Sequence, residues 1–127
     1  MSIPHPPCIL LVESEPMLRR TISKVLRDAG FRVTALPAVP TVPPAAEGPE
    51  ARPQVILLGA RVLDAETAAM AHRLRAMEPS APILAVADEV DPRFAGATPL
   101  PHGSRCLAPP FDLPDLLRAV QSQLDSW

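Results

Sequence analysis

The stretch VILLGARVLD, residues 55–64, decides the fold. Four apolar residues, Val55 to Leu58, form an unbroken run of strand length and then meet Gly59. An apolar run without alternation suits a strand buried on both faces, as in a parallel sheet covered by helices. In open α/β sheets, ligands bind outside the carboxyl ends of the strands. A strand that ends at Gly59 therefore presents no side chain where chemistry is expected.

Working outward, residues 8–12 (CILLV) form a first apolar strand, followed by Glu13, Ser14, Glu15 and Pro16. Ser14 is the expected N-cap of a helix, with Pro16 in its first turn, where a missing N–H does no harm. Leu18, Ile22, Val25, Leu26 and Ala29 lie on one helical face, and Gly30 is the expected residue just past the helix end. Arg19, Arg20, Lys24 and Arg27 fall mostly on the wet side. FRVTAL, residues 31–36, reads as the second strand, QVILL as the third and PILAVA, residues 82–87, as the fourth. Between the last two, residues 66–77 predict a helix with Ala69, Met70, Leu74 and Met77 inward, stopped by Pro79. RCLA, residues 105–108, is the fifth strand candidate. Asp112 caps a last helix with Leu113, Leu116, Leu117, Val120 and Leu124 on one face, and Asp115 completes a capping box.

Eighteen of the 127 residues are proline, six of them within 37–53 and five within 92–110. Those two segments cannot hold long helices; one short turn is expected around Ala45–Glu47. Strands alternating with helices over this length predict a single doubly wound α/β domain, residues 1–127 with its core at about 8–125.

Composition narrows the function classes. Hydrophobic residues make up 47%, enough for a packed core, and the net charge of −2 argues against nucleic acid as the main partner. No apolar stretch is long enough to span a bilayer, and the N-terminus has no signal-peptide pattern, so a cytoplasmic protein without a membrane contact is expected. Cys8 and Cys106 show no metal-ligand spacing and read as two buried small apolar residues rather than a disulfide. No phosphate-binding or dinucleotide loop is present. His102, Gly103 and Ser104 lack a nucleophile elbow and read as loop; His5 lies in the N-terminal tail and His72 on an outer helix face.

Three segments together resemble the bacterial response-regulator receiver domain, a CheY-like fold. CILLVESEPMLRRTISKVLRDAGFRVTAL resembles its opening, PQVILLGARVLDAETAAMAHRLRAMEPSAPILAVA its middle, and CLAPPFDLPDLLRAVQSQL its end, where the family usually reads Lys-Pro-Phe. The resemblance covers nearly the whole chain. It implies a flavodoxin-like, five-stranded parallel sheet in the order 2-1-3-4-5 with five helices. The proline-rich segments fall where its second and fourth helices would be, so these are expected to be shortened or lost. It also implies a phosphorylation site at the strand ends: two acidic residues that help bind Mg²⁺, an acceptor Asp, a Thr or Ser, and a Lys.

Carried over by position, those five places hold Glu13 and Ser14, Gly59, Ala87 and Pro109. Only Glu13 keeps a functional group of the family's kind. Transfer to a carboxylate needs a nucleophile in line with phosphorus, which Gly59 does not supply. A degenerate pseudo-receiver is expected: not an enzyme, without a cofactor, its Mg²⁺ binding lost or weak, with Glu13 as a remnant. Asp64 reads as a loop or helix-capping acid, and a rescued metal site from Glu13, Glu15 and Asp88 is the weaker reading. The family's Lys-Pro bond is commonly cis, which makes a cis Pro109–Pro110 bond the expectation.

What remains is surface. Arg19, Arg20, Lys24 and Arg27 mark the face where, in receivers, histidine kinases or phosphotransfer domains dock. The expected partner is a histidine kinase or another two-component protein, with a homodimer as a further assembly and Trp127 as a candidate anchor. Two alternatives stand beside this: a receiver phosphorylated at a displaced residue, and a small-molecule sensor using a pocket emptied around Glu13, Gly59 and Ala87.

Overall fold

The computed structural model describes residues 7–40, 53–93, 100–101, 103–107 and 112–126. The elements run β1 (Cys8–Val12), α1 (Pro16–Asp28), β2 (Arg32–Leu36), β3 (Val55–Leu63), α2 (Ala65–Met77), β4 (Ile83–Val90), β5 (Ser104–Leu107) and α3 (Leu113–Ser126). All neighbouring strands are parallel and the order is β2-β1-β3-β4-β5. Three helices lie among the described residues. The expectations for Ala45–Glu47, His5, His102, Pro109–Pro110 and Trp127 fall outside the described residues.

Residue parity along the strands separates two cores. Ile9 and Leu11, Val55 and Leu57, and Leu84 and Val86 face one side, where Ile22 and Leu26 of α1 and Leu116 and Val120 of α3 cover them. Leu10 and Val12, Ile56 and Leu58, and Ile83 face the other side, against Ala71 and Leu74 of α2. Successive strand residues point to opposite faces, so an unbroken apolar run supplies both layers at once.

β3 does not end at Gly59. It continues through Leu63, and β4 continues with it to Val90, with Gly59 paired to Val86, Ala60 to Ala87, Val62 to Glu89 and Leu63 to Val90. The continued ladder gives the backbone polar groups partners, and Leu63 is buried in a small cluster with Ala85, Ala87 and Leu100. The helix follows after a single residue. Asp64 is the N-cap of α2, its Oδ1 accepting from Thr67 N at 3.0 Å and from the Thr67 hydroxyl at 3.1 Å. That hydroxyl also reaches Val62 O at 2.9 Å, tying the helix start to the strand extension.

The N-cap of α1 is Glu15, not Ser14: its carboxylate accepts from Met17 N at 3.2 Å and Leu18 N at 2.6 Å. Pro16 takes the first helical position, so the longer acid one residue later than Ser14 is aligned with the free N–H groups. The inner faces are narrower than the periodicity predicts. Leu18, Ala29 and Ala69 are exposed, as is Leu113, while Ser23, Thr67, Ala68, Ala71 and Gln123 are buried. Cys8 is buried as expected, but Cys106 is exposed on the edge strand β5, where desolvation still raises its thiol pKa. Gly30 takes φ +98°, the left-handed conformation that closes α1.

Arg75 is an anchor that periodicity does not reveal. Its guanidinium donates to the carbonyls of Glu78 at 3.1 Å, Ala81 at 2.5 Å and Gly103 at 3.4 Å, joining the end of α2 to the start of β5. Burial lowers its pKa, opposed by the Glu78 carboxylate.

At α3 the capping box is reciprocal: Asp115 N donates to Asp112 Oδ1 at 2.9 Å and Asp112 N to Asp115 Oδ2 at 3.1 Å. The Asp112 N–H, aided by the Arg118 ion pair, holds the Asp115 carboxyl below its usual range. A folded-state pKa below the unfolded one stabilises the fold at higher pH, and this contribution is lost as pH falls through the depressed value. The melting temperature of the wild type should therefore exceed that of Asp115→Asn above about pH 4, and the gap should close as acid is added.

Candidate functional site

Where β1 ends, the strand ladders set Glu13, Gly59 and Ala87 at neighbouring levels of the sheet, Gly59 and Ala87 lying within strands that continue to Leu63 and Val90; Pro109 falls outside the described residues. The β1–β3 register pairs Val12 with Leu58, so the next residue on each strand, Glu13 and Gly59, stand side by side. Both have the parity of the face covered by α1 and α3. Glu13 is only 5% exposed. A β-carbon added to Gly59 would lie 2.6 Å from Glu13 Oε1 and 3.0 Å from its Cδ. The Glu13 carboxylate thus fills the space that a side chain at position 59 would need.

This corrects the expectation of an emptied pocket between Glu13, Gly59 and Ala87. Glu13 lies over Gly59, with Oε2 accepting from Glu15 N at 3.4 Å. Ala87 is buried among Ala85, Leu63 and Leu100. The open space lies on the other side of the strand: a cleft of about 380 Å³ bordered by Ser14, Pro37, Gly59, Arg61, Asp64 and Met70. Ser14 is exposed at its rim.

The other acids are not gathered. The Glu15 and Asp64 carboxylates are engaged as helix caps, and Asp88 is exposed on the β4 extension. Among the described residues no three His, Cys, Asp or Glu side chains are grouped to hold a metal ion. What the sequence left hidden is the contact between Glu13 and Gly59. The signal was the extra methylene of Glu beside a glycine, but only the register makes them neighbours.

The basic face of α1 is a built surface. Arg19 donates to Glu13 O at 2.9 Å and Ser14 O at 3.5 Å, Arg27 to Val33 O at 3.2 Å, and Lys24 pairs with Asp28 at 3.0 Å. Arg20 is exposed and has no hydrogen bond or ion pair among the described residues.

No family model matches the chain. Over 122 residues, 94% of its length, it is 28% identical to the probable transcriptional regulatory protein TcrX of Mycobacterium tuberculosis. It spans about half the length of that relative, 50%. Among solved structures, a response regulator receiver protein from Sinorhizobium medicae matches with TM-score 0.71 at 24% identity, covering 95% of this chain and 96% of that one. The receiver domain of a sensor histidine kinase from Pseudomonas aeruginosa, solved with a magnesium ion in its active-site cleft, matches with TM-score 0.67 at 26% identity. It covers 95% of this chain and 99% of the other. Sheet order, double winding and these neighbours show that the chain has the fold of response-regulator receiver domains. Among the described residues no helix is long and apolar enough to cross a membrane.

Proposed function

We propose that this chain is a receiver domain of the two-component type and, within that class, a pseudo-receiver: it accepts no phosphoryl group and acts without catalysis, as a protein-interaction module in two-component signalling. The observation that carries the reading is Gly59 beneath the Glu13 carboxylate. Position 59 offers no nucleophile, and a negative group already lies over it, where an incoming phosphoryl oxygen would be repelled. Magnesium sites in phosphoryl chemistry commonly join one or two carboxylates to phosphate and water; Glu13 is the acid beside Gly59, and the nearby Glu15 and Asp64 carboxylates are engaged as helix caps. Acceptance at a displaced residue is disfavoured, since Glu15 and Asp64 are occupied as caps. The α1 face, with Arg19, Arg20, Lys24 and Arg27, is the proposed contact for a histidine kinase or another two-component protein.

Incubation with acetyl phosphate and Mg²⁺, followed by intact-mass measurement, tests the phosphorylation half. The expected result is an unchanged mass under conditions that label an ordinary receiver in the same tube. An Mg²⁺-dependent phosphoryl adduct on this chain would overturn the reading.

A further inference from the structure

The basic face of α1 borders an open groove of about 350 Å³, lined by Arg19, Arg20, Ser23, Lys24, Arg27, Asp28 and, from β2, Ala35. The helical residues fall in two rows of i, i+4 spacing, 19–23–27 and 20–24–28, so the stripe follows from the helix itself. Four cations against one carboxylate leave a local charge of +3 in a chain whose net charge is −2. Arg19 and Arg27 are held by backbone carbonyls, which orient a guanidinium without neutralising it. Ser23 is 5% exposed, and its hydroxyl is buried without a hydrogen-bond partner. A buried hydroxyl is normally paired, and here it lies beneath a group of positive charges.

We propose that this groove binds a small phosphorylated ligand through a diphosphate group. A carboxylate carries one charge and matches one guanidinium. A phosphate monoester carries about −1.5 to −2, a diphosphate more, with acceptor oxygens spread over two phosphorus atoms. That fits two oriented guanidinium forks, the further charges of Arg20 and Lys24, and a hydroxyl donor better than a single acid does. The inference does not rest on the loss of phosphorylation, which concerns Glu13 and Gly59; it shares the α1 face with the proposed partner contact, so a bound ligand would occupy Arg19, Arg20, Lys24 and Arg27.

Calorimetric titration of the full chain with sodium pyrophosphate at constant ionic strength tests it. One saturable site is expected, weakened by about tenfold or more in Arg20→Glu, weakened less in Ser23→Ala, and unchanged in Arg73→Glu on α2. Far-UV circular dichroism checks that each variant is folded. Inorganic phosphate should bind more weakly, and comparing ADP with pyrophosphate distinguishes a nucleotide source from a free diphosphate. Absence of saturation, or equal affinity in Arg20→Glu, would overturn the proposal. So would a glutamate-rich peptide that displaces pyrophosphate at equal concentration, because the groove would then be a docking site for acidic protein segments. A mass adduct with acetyl phosphate would sink the pseudo-receiver reading and leave this result untouched.

Discussion

Gly59→Asp destabilises the fold instead of restoring a phosphoacceptor. The new β-carbon would meet Glu13 Oε1 at 2.6 Å, so the Glu13 carboxylate must move. Its arm is flexible, and Gly59→Ala alone is expected to cost no more than about 1 kcal/mol. Aspartate adds a second negative charge beside a carboxylate that is 5% exposed. Overpacking and like-charge repulsion together predict a loss of about 2–4 kcal/mol at pH 7. Repulsion raises a carboxyl pKa in the folded state above its unfolded value, so the penalty is present above that raised pKa and eases as pH falls through it. Glu13→Gln in the Gly59→Asp background should recover most of the loss. Urea denaturation of the two single variants and the double variant, at pH 7 and pH 5, measures the coupling. Additive losses would mean that Glu13 and position 59 do not interact.

Leu57→Ala should cost about 2–5 kcal/mol, a large part of the 5–15 kcal/mol that such a domain possesses. Leu57 is 1% exposed in the middle strand, paired in register with Leu11 on β1 and Leu84 on β4. All three belong to the layer that Leu26 of α1 and Leu116 of α3 cover. Neighbours on both sides of the sheet row restrict collapse into the cavity, which places the loss towards the upper part of that range. Chemical denaturation of the folded variant, compared with wild type, gives the number. A loss below 1 kcal/mol would show that this layer repacks freely.

Much of the fold was legible in sequence because its signals are local. Apolar runs of strand length, the Asp112–Asp115 box and Gly30 each act within a few residues, and β1, β2, α1, α2 and α3 appear close to their expected positions. The errors share one cause. Arg61 to Leu63 and Asp88 to Val90 do not look like strand by themselves. They form one because each finds the other as a partner and because Leu63 gains a buried place beside Leu100. Ser14 looked like the better cap by residue type, yet Glu15 lies next to Pro16, which begins the helix. The Arg75 clamp depends on a carbonyl 28 residues away and leaves no periodic trace.

The candidate site divides in the same way. The sequence alone determined that position 59 has no nucleophile, that Ala87 has no hydroxyl, and that α1 carries a row of cations, because residue identity and helical spacing need no tertiary contact. Tertiary structure decided what those facts amount to. Strand register sets Glu13 beside Gly59 and fills the space with a carboxylate, and the packing of α1 on the sheet buries Ser23 beside the cations. Both depend on contacts between segments far apart in the chain, which no local pattern encodes.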